Sequence, residues 1–341
     1  MIKLTEFARG GGCGCKIAPA VLQEMLGGLV QRTSGNLLVG NDRNDDAAAW
    51  DLGNDQVLLS TTDFFLPIVD DPSQFGQIAA ANALSDIYAM GGKPLFALAI
   101  LGWPVDKLPA SLASQVLHGA SAVAAQAGIP IAGGHTIDAA EPFFGLAVNG
   151  MVARKNLLTN GGARPGDRLY LTKALGTGMI TTAAKRGIPE MDIPLQAAIE
   201  SMLELNQCGA LLSALPGVHA MTDVTGFGLA GHALEMARAS QCSFEIKMSD
   251  LPLLPGVQSL LDRFIYPDMT MRNFNAVKES CTEMKGTSLL LLCDPQTSGG
   301  LLFSVAEADA QAAEKLLDAA SVRYACMGRV IPQQEHALIW V

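Results

Sequence analysis

The chain of 341 residues is long enough for two domains of ordinary size, and at 49% apolar residues it can fill a core in each. Charged residues are only 16% and the net charge is −10, which argues against a nucleic-acid backbone or an anionic membrane surface as main partner, since both need clustered Lys and Arg. The longest apolar run, 94–105, is too short to span a bilayer, no targeting segment is visible, and seven Cys, of which only Cys13 and Cys15 sit close together, suit a reducing, cytoplasmic setting better than a disulfide framework.

Residues 1–16 are Gly-rich, lack apolar periodicity and read as a mobile arm. A short helix is expected over 19–30, a strand over 57–62 ending at Asp63, and a helix over 74–90 stopped by Gly91-Gly92 and Pro94. A buried strand over 95–102, a long helix over 108–128 and strands over 129–132 and 143–152 complete the first half. Turn formers cluster at 154–166, so the chain divides into the arm, residues 17–155 and residues 156–341. The second half reads as a strand at 168–172, helices at 176–186 and 194–213, a strand at 218–222 and a helix at 226–240. A strand at 288–293, a helix at 306–320 and strands at 324–331 and 336–341 follow. Strands and helices mix without strict alternation, which predicts an α+β chain of two domains.

Three kinds of constellation carry chemistry. In Gly10-Gly11-Gly12-Cys13-Gly14-Cys15-Lys16 the glycines let the backbone approach a ligand closely, and Lys16 either lowers the pKa of a nearby thiol or meets a phosphate. Cys-x-Cys alone lacks the further ligands that a zinc site needs. Second, Asp45-Asp46, Asp63 and Asp223 lie at expected element ends, where each could be a turn or cap residue. Asp86 stands inside an apolar helix with Asn82 one turn earlier on the same face, a position costly without a partner. Carboxylates from separate elements could converge on Mg²⁺, which prefers hard oxygen ligands. Third, Gly-rich turns at 132–136, 225–229 and 294–300 expose backbone N–H groups that suit phosphates, although no Walker or Rossmann pattern is present. His135 either bonds a nucleotide or shapes its turn.

Together these stretches resemble the selenophosphate synthetase (selenide, water dikinase) family. They are Gly-Cys-Gly-Cys-Lys at 12–16, Asp-Asp-Ala-Ala at 45–48, Ser-Thr-Thr-Asp-Phe-Phe at 60–65, Met-Gly-Gly-Lys-Pro at 90–94, Ala-Gly-Gly-His-Thr-Ile-Asp at 132–138, Met-Thr-Asp-Val-Thr-Gly-Phe-Gly at 221–228 and Cys-Asp-Pro-Gln-Thr-Ser-Gly-Gly at 293–300. They run in order along nearly the whole chain. Two of them are shared with a wider superfamily that includes aminoimidazole ribonucleotide synthetase, thiamine-monophosphate kinase and a hydrogenase-maturation enzyme. The resemblance implies a two-domain aminoimidazole ribonucleotide synthetase-like fold with mixed sheets, and a homodimer built through the N-terminal domains. It implies conversion of ATP and selenide to selenophosphate, phosphate and AMP. By the same resemblance, Asp46, Asp86 and Asp223 hold Mg²⁺. Lys16, Asp63, Asp86, Gly134, His135 and Thr136 contact ATP, and Cys13, with Lys16, carries the catalysis where many relatives have selenocysteine.

Overall fold

The computed structural model describes residues 2–17, 19–26, 35–40 and 43–341. After two short 3-10 turns at Leu4–Phe7 and Cys13–Cys15 come helix α1 (Pro19–Leu26) and strands β1 (Leu37–Val39), β2 (Ala48–Gly53) and β3 (Gln56–Phe65). In β3, Val57 and Leu59 face inward and Ser60 and Thr62 outward, the period-two pattern of a strand with one covered face. Helix α2 (Pro72–Ala89), β4 (Lys93–Trp103), α3 (Ala110–Gln126), β5 (Ile131–Asp138) and β6 (Phe143–Ala153) follow. The strands form one sheet in the order β1-β2-β3-β6-β4-β5, in which only β4 and β5 run parallel, joined by the crossover through α3.

Helix α2 organises the molecule. Asp71 caps it, accepting from Gln74 N, and Pro72 opens its first turn. It is buried on almost every side, as expected of a helix that is apolar all round. One side lies on β3, β4 and β6, and the other meets α5, α6 and β8 of the second half, whose ranges follow. Its approach to α3 depends on two glycines. A Cβ on Gly76 would lie 1.9 Å from Val116 O, and one on Gly119 would lie 2.1 Å from Ser73 O. Among the described residues, none forms a layer over the outer face of the first sheet, which leaves Trp50, Phe64, Phe96 and Leu98 exposed.

The second half comprises β7 (Arg168–Thr172), α4 (Thr177–Lys185), α5 (Asp192–Leu203), α6 (Cys208–Leu212), β8 (Val218–Asp223), α7 (Gly228–Ser240) and β9 (Cys242–Ile246). Then come α8 (Val257–Asp262), α9 (Met269–Val277), α10 (Ser288–Leu292), β10 (Leu301–Val305), α11 (Ala310–Ala319), β11 (Tyr324–Pro332) and β12 (Leu338–Trp340). The second sheet has the order β12-β9-β11-β7-β10-β8, antiparallel except for β12 beside β9. The architecture is the expected α+β fold with mixed sheets.

Several local expectations fail for identifiable reasons. The Leu-rich segment 288–293 is helix α10, not a strand, because a short buried apolar run satisfies either period. The strand of that region is β10, beyond the Gly-rich turn. The expected turn at 133–136 lies inside β5, with Gly133 at φ +154°. Asp63 sits within β3 rather than at its end. The helix expected over 194–213 breaks into α5 and α6, and β4 is covered on one face only. The short strands β1, β2 and β9 carry too little pattern to be anticipated. The expected helix over 19–30 is seen as α1, and residues 27–30 lie outside the described residues.

Candidate active site

Three carboxylates meet where the first sheet, α2 and the second sheet converge. Asp46 comes from the loop before β2, Asp86 from α2 and Asp223 from the end of β8, and one ligand oxygen from each lies within 4.8 Å of the others. Thr222 donates to Asp46 Oδ1 at 2.9 Å, and Thr61 on β3 donates to Asp86 Oδ2. The neighbouring Asp45 has a different task. It accepts from Asn160 N at 2.7 Å, and Asn160 in turn donates to Arg43 O and Asn44 O, so this pair ties the loop to the second half.

The cluster is electrostatically frustrated. Burial raises the pKa of Asp46, and Asp223 and Asp86 raise it further. Asp86 is raised by burial and then by Asp223 and Asp63. Burial raises Asp223 as well, and Asp223 Oδ2 is buried without a hydrogen-bond partner. At such separations repulsion between charged pairs is on the order of several kcal/mol. An all-oxygen donor set with an orphaned buried oxygen fits a hard divalent cation, which would relieve this repulsion.

The thiol-bearing arm is packed against this cluster. Asn82, one turn before Asp86, joins three segments. Its Oδ1 accepts from Cys13 Sγ at 3.1 Å and from Ser298 N at 2.9 Å, and its Nδ2 donates to Asp63 Oδ2 at 2.8 Å. Lys16 Nζ lies 3.3 Å from the same Asp63 oxygen, with about a third of its side chain (34%) still exposed. Burial alone would lower the Lys16 pKa, but Asp63, Cys13, Asp86 and Asp223 outweigh it and raise it, so the ammonium is firmly charged. Gly12, at φ +53°, pairs with Leu66 in a single antiparallel bridge, and a Cβ there would sit 2.3 Å from Thr297 Oγ1. Thr297 Oγ1 accepts from Cys13 N at 3.0 Å.

Lys16 does lower the thiol pKa, as expected, but burial and Asp63 outweigh it. Cys13 is fully buried, and burial followed by Asp63 pushes its pKa well up despite Lys16, so the thiol is protonated and donates to Asn82. Cys15 donates to Gly12 O at 2.9 Å, and burial raises it too.

Asp46, Asp63, Asp86, Asp223, Cys13 and Lys16 are thus brought together, whereas Gly134, His135 and Thr136 are not. One rung runs Asp63–Leu146–Ala99–Gly134 across β3, β6, β4 and β5, three strand spacings or about 14 Å. His135 pairs with Ile100 on the uncovered outer side of the edge strand. Sequence reasoning missed Thr61, Thr222, Thr297 and Lys173. Lys173 Nζ donates to Glu204 O at 2.7 Å and Ser298 O at 2.8 Å, and burial lowers its pKa to about 8. The three threonines lie inside the motifs at 60–65, 221–228 and 293–300, and the signal at Lys173 was a polar residue after the apolar strand Leu169–Thr172.

The fold and the carboxylate site together define the class. Residues 44–152 match the N-terminal domain of AIR synthase related proteins, and residues 164–341 match their C-terminal domain. Solved structures share the fold. Thiamine-monophosphate kinase from Stenotrophomonas maltophilia K279a has a TM-score of 0.66 at 20% identity, over 96% of each chain. Hydrogenase maturation protein HypE in complex with ATP has a TM-score of 0.62 at 18% identity, over 100% of this chain and 94% of its own. Within that class, the selenide, water dikinases of Shewanella baltica OS155 and Shewanella sp. MR-4 are each 50% identical over 329 residues, 96% of this chain and 93% of theirs. The chain belongs to the selenide, water dikinase family.

Proposed function

We propose that this protein makes selenophosphate from selenide and ATP, releasing AMP and orthophosphate. The observation that carries this reading is the convergence of Asp46, Asp86 and Asp223 beside a Cys13–Asn82–Asp63–Lys16 hydrogen-bond and ion-pair chain, in a protein 50% identical to selenide, water dikinases. Those three carboxylates would hold Mg²⁺, and the ion when bound supplies charge neutralisation for the nucleotide phosphates. Lys16 holds a fixed positive charge beside Asp63, suited to phosphate oxygens. Closed over bound nucleotide, the arm would keep water from the phosphoryl group so that HSe⁻ takes it first. Cys13 is the thiol that would handle selenium. In this arrangement it holds its proton toward Asn82.

The protein is read as a homodimer. The outer face of the first sheet exposes Trp50, Phe64, Phe96 and Leu98, apolar side chains suited to a second copy. His135 borders that same face, and Gly134 and Thr136 flank it on the edge strand, about three strand spacings from Asp63 of their own chain. We therefore read them as ATP contacts contributed to the partner's site. Among the described residues no helix is long and apolar enough to cross a membrane, and all seven cysteines are free, which supports a cytoplasmic setting.

The decisive assay incubates the protein anaerobically with ATP, Mg²⁺ and selenide under ³¹P detection. Selenophosphate and AMP are expected only with all three present. ADP together with a phosphorylated organic acceptor would instead place the protein with the kinases of its class. For the shared site, inactive Asp86→Ala and His135→Ala chains are mixed under conditions of subunit exchange. Random mixing leaves roughly a quarter of the sites intact, so activity should return to about that fraction. No recovery would confine His135 to its own chain.

A further inference from the structure

We propose that Lys185 is a positioning residue for the reaction, clamping the Gly-rich arm in place so that Cys13 and Lys16 meet the carboxylate cluster. The proposal rests on the reading of Cys13 as the reacting thiol. A segment such as Gly10-Gly11-Gly12-Cys13-Gly14 has one side chain to pack, that of Cys13, and is otherwise fixed through its backbone groups. Lys185 Nζ takes two of them, donating to Ala8 O at 2.8 Å and Gly10 O at 3.2 Å.

The opposite end of the same helix holds the other end of the arm. Thr177, the first residue of α4, donates through its hydroxyl to Gln296 Oε1 at 3.0 Å and accepts there from Thr297 N at 3.1 Å. Thr297 Oγ1 in turn accepts from Cys13 N. A helix of nine residues is a strut about 13 Å long, so α4 braces the arm at both ends. Between these points the arm borders a cavity of about 650 Å³, lined by Gly10, Gly11, Gly14, Cys15 and Lys185 itself among others. Lys185 makes no ion pair among the described residues. Asp70 and Glu141 act on it only as neighbouring charges, and burial lowers its pKa. Its ammonium is therefore committed to the arm's carbonyls.

The test compares Lys185→Met with Lys185→Arg in the full-length protein. Cys13 alkylation by iodoacetamide, resolved by peptide mass, should quicken at least about tenfold in Lys185→Met. kcat for selenophosphate should fall about as far, while the thermal midpoint and its rise on adding Mg²⁺ stay within error. Lys185→Arg, which keeps donors at the site, should restore both. Should Lys185→Met prove unstable, Lys185→Leu, which also removes the donor, carries the same comparison. Unchanged alkylation in a folded variant overturns the clamp. Faster alkylation with full turnover overturns the reading of Cys13 on which the proposal rests.

Discussion

The carboxylate cluster and the thiol arm are two halves of one site, built on opposite principles. Asp86 stands on a buried helix and Asp223 at the end of a strand in the second sheet, and Thr222 and Thr61 hold two of the three carboxylates. That half keeps its geometry because moving any member would disturb a packed core. The arm meets the core through Leu4, Thr5 and Cys13, and is otherwise held by countable hydrogen bonds. These are Thr5 to Asp70, Lys185 to Ala8 and Gly10, Gly12 to Leu66, Cys13 N to Thr297 and Cys13 Sγ to Asn82, with the Lys16–Asp63 ion pair beside them. Like charges can be held close only by rigid supports, whereas a group that must admit substrate needs a support weak enough to open. The division of labour follows from that contrast.

The largest effect should come from the rigid half. Asp86→Asn or Asp223→Asn should reduce selenophosphate formation roughly 1,000-fold, comparable to losing a principal electrostatic contact in a dry site. Because each substitution also removes a buried like charge, the metal-free thermal midpoint should hold or rise. A fall of several degrees with activity retained would mean that the cluster serves structure rather than catalysis.

The arm should respond asymmetrically. Cys13→Ser loses the soft sulfur and should cut selenophosphate formation about 100-fold. Cys15→Ser, whose sulfur only donates to Gly12 O, should cost less than about threefold in the same ³¹P assay. Equal losses would point to a two-thiol mechanism and erase the distinction between the two positions.

A smaller effect concerns pH. The raised carboxyls of Asp46, Asp86 and Asp223 hold protons that the unfolded chain has already released. Their contribution to metal-free stability is therefore full below the ordinary carboxylate value of about 4 and is lost as pH rises through their folded values. Mg²⁺ competes with those protons, so its stabilisation, measured as a shift in thermal midpoint, should be larger by a few degrees at pH 8 than at pH 5.5. Equal shifts at both pH values would show that the ion binds elsewhere.

Much of this was legible in the sequence. The α+β class and the strong strands and helices of the first half could be read from periodicity, and Asp86 stood out as a misplaced polar residue, whereas Cys13, Lys16, Asp46, Asp63 and Asp223 were singled out by the motifs that resemble the family. A buried Asp in an apolar helix announces a partner, because isolation there is too costly. What the one-dimensional pattern could not contain was distance. Asn82 shares a helix face with Asp86 in any reading, but only the fold brings Cys13, Asp63 and Ser298 to it from three remote segments. Tertiary packing likewise decided that 288–292 is helical and that 133–136 is an edge strand far from its own chain's carboxylates, since buried short segments take the conformation their neighbours leave them. It also decided the charge of the Cys13 thiol, because desolvation depends on what surrounds a sulfur in space and not on the lysine three residues along the chain.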